Sequence, residues 1–157
     1  MSTNSLTLTL DTEEATRELA SQFAQFLSAG DVLLLSGPIG AGKTAFARAL
    51  ITALLAAPED IPSPTFTLVQ TYSPPSFEIW HADLYRLFQP EEVIELGLVE
   101  AFDTALCLIE WPDRLGDLAP PSALSLTFQT TTTEGERSVS ISWTTSKWTS
   151  ILGRLST

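Results

Sequence analysis

The residues with the clearest chemistry lie between positions 37 and 44, where the sequence reads Gly-Pro-Ile-Gly-Ala-Gly-Lys-Thr. This stretch fits G-x-x-x-x-G-K-[ST], the pattern of a phosphate-binding loop, or P-loop. Glycines let successive backbone N–H groups approach an anion closely, and the start of a following helix adds unsatisfied N–H donors. In such a loop Lys43 reaches the β- and γ-phosphates, and the Thr44 hydroxyl can ligate Mg²⁺. The pattern predicts a nucleotide site; a glycine-rich turn with one surface lysine is the alternative.

The segments on either side of this loop are of the kinds that a P-loop requires. Residues 31–36, Asp-Val-Leu-Leu-Leu-Ser, are typical of a short buried strand. Residues 44–55 carry apolar side chains at helical spacing. Strand, loop and helix therefore follow one another in the required order, which favours nucleotide binding over the simple turn.

Two carboxylates are candidates for the remaining chemistry, because phosphoryl transfer also needs an acidic partner for Mg²⁺ and a group that positions water or an acceptor. Glu110 ends the apolar run 105–109, the place of a Walker B acid at a strand end, or is an ordinary exposed carboxylate. Asp83 follows a predicted strand at 77–81 and is also suited to cap a turn that begins at Leu84. Residues 63–65, Ser-Pro-Thr, offer hydroxyls on a constrained loop and fit either a switch segment or plain turn chemistry.

Composition limits the functions that are open to the chain. Its 157 residues are 44% hydrophobic, which predicts one globular domain over residues 1–157. A net charge of −11 argues against autonomous binding to a nucleic-acid backbone or an anionic membrane, so an RNA-related role requires a partner.

The single Cys107 lies in an apolar run and is expected to be buried and inert. His81 is the only histidine and favours a hydrogen-bonded structural role over a metal site. With neither a signal-peptide pattern nor an apolar segment of about 20 residues, a cytoplasmic protein is expected.

Hydrophobic periodicity predicts an α/β layered fold with a mixed sheet. A helix is expected to begin in a capping box of Asp11 and Glu14 and to end at Gly30. The other predicted elements are a strand at 6–10, a hairpin of 65–72 with 77–81, a helix at 90–96, a strand at 105–109, a loop at 112–121, alternating strands at 124–128 and 139–143, and a helix at 146–155.

Four segments taken in order resemble the TsaE family: residues 40–44 (Gly-Ala-Gly-Lys-Thr), 63–69 (Ser-Pro-Thr-Phe-Thr-Leu-Val), 81–87 (His-Ala-Asp-Leu-Tyr-Arg-Leu) and 109–114 (Ile-Glu-Trp-Pro-Asp-Arg). The likeness runs from Asp11 to about Arg137. It implies a small bacterial P-loop ATPase required for making threonylcarbamoyladenosine in tRNA. It also implies a three-layer, P-loop NTPase-like fold with a mixed central sheet flanked by helices, ATP or ADP with Mg²⁺ as ligands, and a TsaB–TsaD protein complex as partner, with tRNA contacted only indirectly.

The resemblance also assigns roles to residues of this sequence. It implies Thr44 and Glu110 as metal ligands, and Lys43, Asp83 and the γ-phosphate sensor Thr65 as the catalytic set. The implied nucleotide-binding residues are Glu13, Gly40, Ala41, Gly42, Lys43, Thr44, Ala45, Asp83, Trp111 and Gly135.

Two other functions remain open from the sequence. A small-molecule P-loop kinase would need cationic residues around its acceptor, and few arginines are available for this. A non-catalytic assembly factor, whose nucleotide state gates partner binding, would use the same residues as an ATPase. A GTPase is disfavoured because the chain has no Asn-Lys-x-Asp segment to read guanine.

Overall fold

The computed structural model describes residues 3–38, 40–55, 57, 59–64 and 68–155. Its helices and strands follow the chain in this order: β1 (Asn4–Leu10), α1 (Glu13–Ala24), β2 (Val32–Ser36), α2 (Lys43–Leu54), β3 (Val69–Tyr72), β4 (Ile79–Asp83), α3 (Pro90–Glu95), α4 (Leu98–Thr104), β5 (Leu106–Glu110), a 3₁₀ helix (Pro112–Leu118), β6 (Leu124–Thr130), β7 (Arg137–Trp143) and α5 (Ser146–Leu152).

The strands form one seven-stranded mixed sheet in the order β1-β7-β6-β2-β5-β4-β3. The central strands β6, β2, β5 and β4 pair in parallel, whereas β3, β7 and β1 join through antiparallel pairs. Parallel strands align their carboxyl ends, so the segments that leave β2, β4 and β5 emerge at one edge. The predicted mixed sheet is confirmed, and so is the antiparallel pairing of β3 with β4.

Helices cover both faces of the sheet because β2 and β5 carry apolar side chains at every position except the last, which is Ser36 in β2 and Glu110 in β5. On one face Leu33 and Leu108 pack in a cluster with Phe46 of α2, together with side chains of α1 and α5. On the other face Leu34 and Ile109 pack with side chains of α3, α4 and the 3₁₀ helix. Strands buried on both sides read as continuous hydrophobic runs, which is why the sequence marks them so clearly. The result is the expected three-layer arrangement.

Several predicted boundaries were wrong. Helix α1 is capped by Thr12, whose hydroxyl accepts a hydrogen bond from the Ala15 N–H at 3.1 Å, rather than by Asp11. It ends at Ala24, well before Gly30. Strand β4 continues to Asp83 instead of ending at His81, because the chain stays paired with β5 as far as Glu110.

Differences of the same kind occur later in the chain. The short helix predicted at 90–96 is confirmed as α3, but a second helix that was not predicted, α4, follows it after Gly97 turns the chain in a left-handed conformation at φ 83°. The predicted loop at 112–121 contains a 3₁₀ helix. The last helix ends at Leu152 and not at 155. Within the described residues, no helix has the length and apolar character needed to cross a membrane.

Candidate nucleotide site

The glycine-rich loop joins β2 to α2, and its shape depends on glycine at two positions. Gly37 has φ 134°, and a Cβ there would lie 2.3 Å from the carbonyl oxygen of Phe128. Gly42 has φ 111° and is the residue before the first turn of α2. Both conformations are in the region that L side chains rarely adopt. The loop thus passes close to β6 and presents the N-terminus of a 12-residue helix to the cleft.

Lys43 is buried at this helix start, with 5% of its surface exposed. Its ammonium donates to the carbonyl oxygens of Gly37 and, at 3.4 Å, of Pro38. It also lies 4.2 Å from the ring centroid of Trp111, within the range of a cation–π contact. Burial lowers the pKa of the Lys43 ammonium, and the negative charge of Glu110 and Asp83 opposes that shift. The charged amine is therefore held in place by backbone, aromatic ring and carboxylates together.

A chain of hydrogen bonds connects α2 to the carboxyl ends of β5 and β4. The Thr44 hydroxyl donates to Glu110 Oε1 at 2.8 Å. The other oxygen, Glu110 Oε2, lies 2.7 Å from Nε2 of His81. Glu110 is only 2% exposed, so the alternative of an ordinary exposed carboxylate does not hold. Hydroxyl and carboxylate oxygens are ligands of the type that Mg²⁺ prefers.

Asp83 lies beside Glu110 because the two residues pair in register at the ends of β4 and β5. Side chains of residues directly opposite one another in neighbouring strands point to the same face of a sheet. Both carboxylates therefore face the side that carries α2. Asp83 Oδ1 also accepts the Tyr85 N–H at 3.0 Å, so the side chain caps the turn after the strand, as the sequence allowed.

Trp111 and Tyr85 form an aromatic wall next to these carboxylates. Their ring centroids are 4.8 Å apart, with the planes tilted by 52°. Trp111 has φ 59°, a left-handed conformation that is a genuine outlier for a bulky residue. Such strain is retained where the surrounding structure holds it in place, and it turns the indole toward Lys43 immediately after the strand ends.

These residues open into a cleft of about 1150 Å³, ample for a nucleotide since ligand pockets commonly measure roughly 300–1000 Å³. Of the predicted binding residues, those that line it are Glu13, Gly40, Gly42, Lys43, Thr44, Ala45, Asp83, Glu110, Trp111 and Gly135. Ala41 does not: its side chain is in the core, and its N–H donates to the Pro38 carbonyl at 3.2 Å. Thr65, and Ile39 within the loop, lie outside the described residues.

Comparison with known proteins adds a family to this geometry. Residues 10–139 match the family described as "Threonylcarbamoyl adenosine biosynthesis protein TsaE". The chain belongs to the TsaE family. Relatives named "tRNA threonylcarbamoyladenosine biosynthesis protein TsaE" include one from Rickettsia bellii, 47% identical over 74% of this chain and 81% of its own length. Another, from Bacillus subtilis, is 35% identical over 72% and 70% of the two chains.

A solved structure agrees with the observed architecture. The crystal structure of Bacillus subtilis YdiB superposes with a TM-score of 0.81 at 25% sequence identity, covering 98% of this chain and 95% of the other. The recognition made from the four TsaE-like segments is therefore confirmed, as is the three-layer fold that it implied.

Sequence reasoning did not place four residues at or beside the site. His81, expected to have a hydrogen-bonded structural role, is indeed buried and hydrogen-bonded, but its partner is the candidate metal ligand Glu110. Three arginines, Arg17, Arg48 and Arg137, line the cleft itself. His81 lies two residues before Asp83 on the same strand, so the period of two would have placed it on the Glu110 face. The arginines come from α1, α2 and β7, and no local pattern brings those elements together.

Proposed function

We propose that the chain is a Mg²⁺-dependent ATPase that serves threonylcarbamoyladenosine modification of tRNA together with a TsaB–TsaD complex. One observation carries the ATPase part: Lys43, Thr44, Asp83 and Glu110, from three separate elements, line a single cleft at the carboxyl ends of the parallel strands. Membership of the TsaE family supports the part that concerns tRNA modification.

The proposed mechanism rests on placement and charge, because phosphoryl transfer requires little covalent chemistry from the protein. The start of α2 and the loop amides would bind the phosphates, and the Lys43 ammonium would exchange its carbonyl contacts for phosphate oxygens. Thr44 and Glu110 supply the oxygens that would hold Mg²⁺. When bound, the ion neutralises phosphate charge. Asp83, next to them on β4, would orient the attacking water, and Trp111 would close the site against solvent.

The test is ATP hydrolysis by the purified chain, alone and with TsaB, TsaD and substrate tRNA. Turnover should rise when the partners are added, and it should fall about 100-fold or more in Lys43→Ala and Asp83→Ala, since each removes a group placed for the transition state. Arg154→Ala and Asp117→Ala are matched controls, because neither residue lines the cleft. Normal hydrolysis by either cleft variant would contradict these assignments.

Two outcomes would replace the proposal by its alternatives. Binding of the partners that depends on nucleotide, without turnover under any condition, would identify a nucleotide-gated assembly factor. ATP-dependent phosphorylation of a metabolite, without stimulation by the partners, would identify a small-molecule kinase. The kinase keeps one observation in its favour, since Arg17, Arg48 and Arg137 give the cleft cations beyond the phosphate-binding lysine.

A further inference from the structure

We propose that His81 is a positioning residue that fixes the orientation of Glu110 from beneath the cleft; this rests on the proposed function. His81 is completely buried and is not among the residues that line the cleft. It pairs in register with Leu108, two residues before Glu110 on the neighbouring strand. The imidazole therefore lies on the same face of the sheet as the carboxylate, one alternation before the strand ends, and its Nε2 is 2.7 Å from Oε2.

The surroundings of the two ring nitrogens indicate which of them carries the hydrogen. Nε2 faces Glu110 Oε2, whereas Nδ1 is buried and has no hydrogen-bond partner among the described residues. A hydrogen on Nδ1 would be a buried N–H group without an acceptor among the described residues, which costs free energy. The geometry thus places the hydrogen on Nε2, so His81 donates and Glu110 accepts.

This donation leaves the carboxylate with one defined orientation. Glu110 accepts from His81 through Oε2 and from Thr44 through Oε1, so both oxygens are fixed by donors on different elements. A glutamate side chain has three torsions that can rotate. Binding an ion restricts them and costs conformational entropy, unless the side chain is already held in one conformation before the ion binds. By holding Oε2, His81 keeps Oε1 at the helix start where Thr44 offers its hydroxyl. Supporting hydrogen bonds of this kind typically change metal affinity about 10-fold to 100-fold when removed.

Two amide substitutions separate positioning from packing. In His81→Gln the amide nitrogen can reach the place of Nε2, whereas in His81→Asn it reaches only the place of Nδ1. The probe is a fluorescent ADP titrated at increasing Mg²⁺, with ADP binding in EDTA measured in parallel. We expect His81→Asn to raise the Mg²⁺ concentration for half-maximal effect about 10-fold, with binding in EDTA unchanged, and His81→Gln to stay within about 3-fold of wild type. Leu108→Ala is the control for lost packing, because Leu108 is buried beside His81; it should lower stability and leave the Mg²⁺ dependence alone.

A second measurement needs no nucleotide. Because the chain has one histidine, its ring nitrogens can be read without ambiguity in a long-range ¹H–¹⁵N spectrum of the unliganded protein. The expected result is a protonated Nε2 and an unprotonated Nδ1, with the Nε2 signal moved by Glu110→Gln. The opposite tautomer, or equal Mg²⁺ dependence in His81→Asn and wild type, would overturn the proposal while leaving the ATPase intact. If wild type binds no ADP, the proposed function and the positioning role fail together, and the spectrum still reports whether the hydrogen bond exists.

Discussion

The hydrogen bond between Thr44 and Glu110 joins the first turn of α2 to the end of β5 at 2.8 Å. Thr44→Val removes the hydroxyl at nearly constant volume, whereas Thr44→Ser keeps it. We expect Thr44→Val to weaken Mg²⁺-dependent ADP binding about 10-fold or more and Thr44→Ser to remain close to wild type, as measured by titration with fluorescent ADP. The free energy of unfolding should fall by about 1–2 kcal/mol in Thr44→Val, because Glu110 Oε1 loses a donor. Unchanged Mg²⁺ dependence in Thr44→Val would argue that the hydroxyl has no part in holding the ion.

The reactivity of the Cys107 thiol reports how tightly the core is closed around β5. It is fully buried on β5, and burial raises the pKa of the thiol from 9.0 to about 12. The native protein should therefore not react with a disulfide reagent at pH 8, whereas the denatured chain should release one equivalent. Rapid reaction of the native protein would show that β5 opens readily.

The same pKa shift predicts a pH dependence of stability. A raised pKa in an acidic group means that, above pH 9, the unfolded chain binds fewer protons than the native protein, so stability falls as the pH rises toward about 12. The slope is at most about 1.4 kcal/mol per pH unit. Cys107→Val should remove this part of the alkaline loss and leave stability below pH 9 nearly unchanged on its pH profile. Parallel curves for the two proteins in urea denaturation between pH 9 and 11 would contradict the assignment.

At the level of elements, the contact between the glycine-rich loop and β6 decides where the loop lies. Gly37→Ala would place a methyl group 2.3 Å from the Phe128 carbonyl oxygen, and that atom belongs to the backbone of a paired strand. Gly135→Ala is the matched control, because Gly135 also has a positive φ, 81°, but none of the described residues has an atom within 4 Å of its Cβ position. We expect Gly135→Ala to cost about 1–2 kcal/mol from backbone strain alone, and Gly37→Ala to cost clearly more. Urea denaturation of both variants measures this, and equal losses would show that the loop shifts freely away from β6.

The elements that the sequence predicted well are those whose hydrophobic composition indicates that they are buried. Strands β2 and β5 are buried on both faces, so their runs of leucine and isoleucine are distinctive. Helix α4 is seven residues long, follows a left-handed glycine and has no side-chain cap from any residue that the structure describes, so little in the sequence separates it from α3. Thr12 and Asp11 are both good capping residues at adjacent positions, so the sequence did not show which of them caps the helix. In the structure the cap is Thr12.

In the site, too, some features follow from the sequence alone and others depend on tertiary packing. Lys43 and Thr44 follow from a local motif, and Glu110 follows from its place at the end of a buried run. The contact of Thr44 with Glu110 depends on β5 lying next to β2, the strand that leads into α2, and the contact of Glu110 with His81 depends on β4 lying next to β5. Both neighbourhoods are set by tertiary packing. The tilt of Trp111 toward Lys43 depends on a left-handed backbone that is unusual for tryptophan, so no propensity predicts it.

At the scale of the whole molecule, charge is distributed in a way that suits a small anionic ligand and not a long polyanion. The chain has 19 acidic and 8 basic residues. Four of the basic residues, Arg17, Lys43, Arg48 and Arg137, line the one cleft described above. The surface outside the cleft is therefore poor in cations. At physiological salt the interaction between exposed charges more than about 8–10 Å apart is largely screened.

This distribution predicts that the chain contributes almost nothing to tRNA affinity. Binding to a phosphate backbone depends on cations that release condensed counterions, and non-specific dissociation constants are roughly 10⁻⁴–10⁻⁶ M even for proteins that have them. With labelled tRNA at about 150 mM salt, we expect fluorescence anisotropy to show binding by the chain alone weaker than about 10⁻⁴ M. For tRNA binding by a TsaB–TsaD complex, the slope of log K against log salt should be the same, within about one, with and without the chain. A variant with Glu91→Lys and Glu95→Lys, on the exposed side of α3, is the charge control and should bind tRNA more tightly than wild type. Saturable micromolar binding by the wild-type chain, or a slope that steepens by several when the chain is added, would mean that a cationic surface for RNA exists despite the net charge of −11.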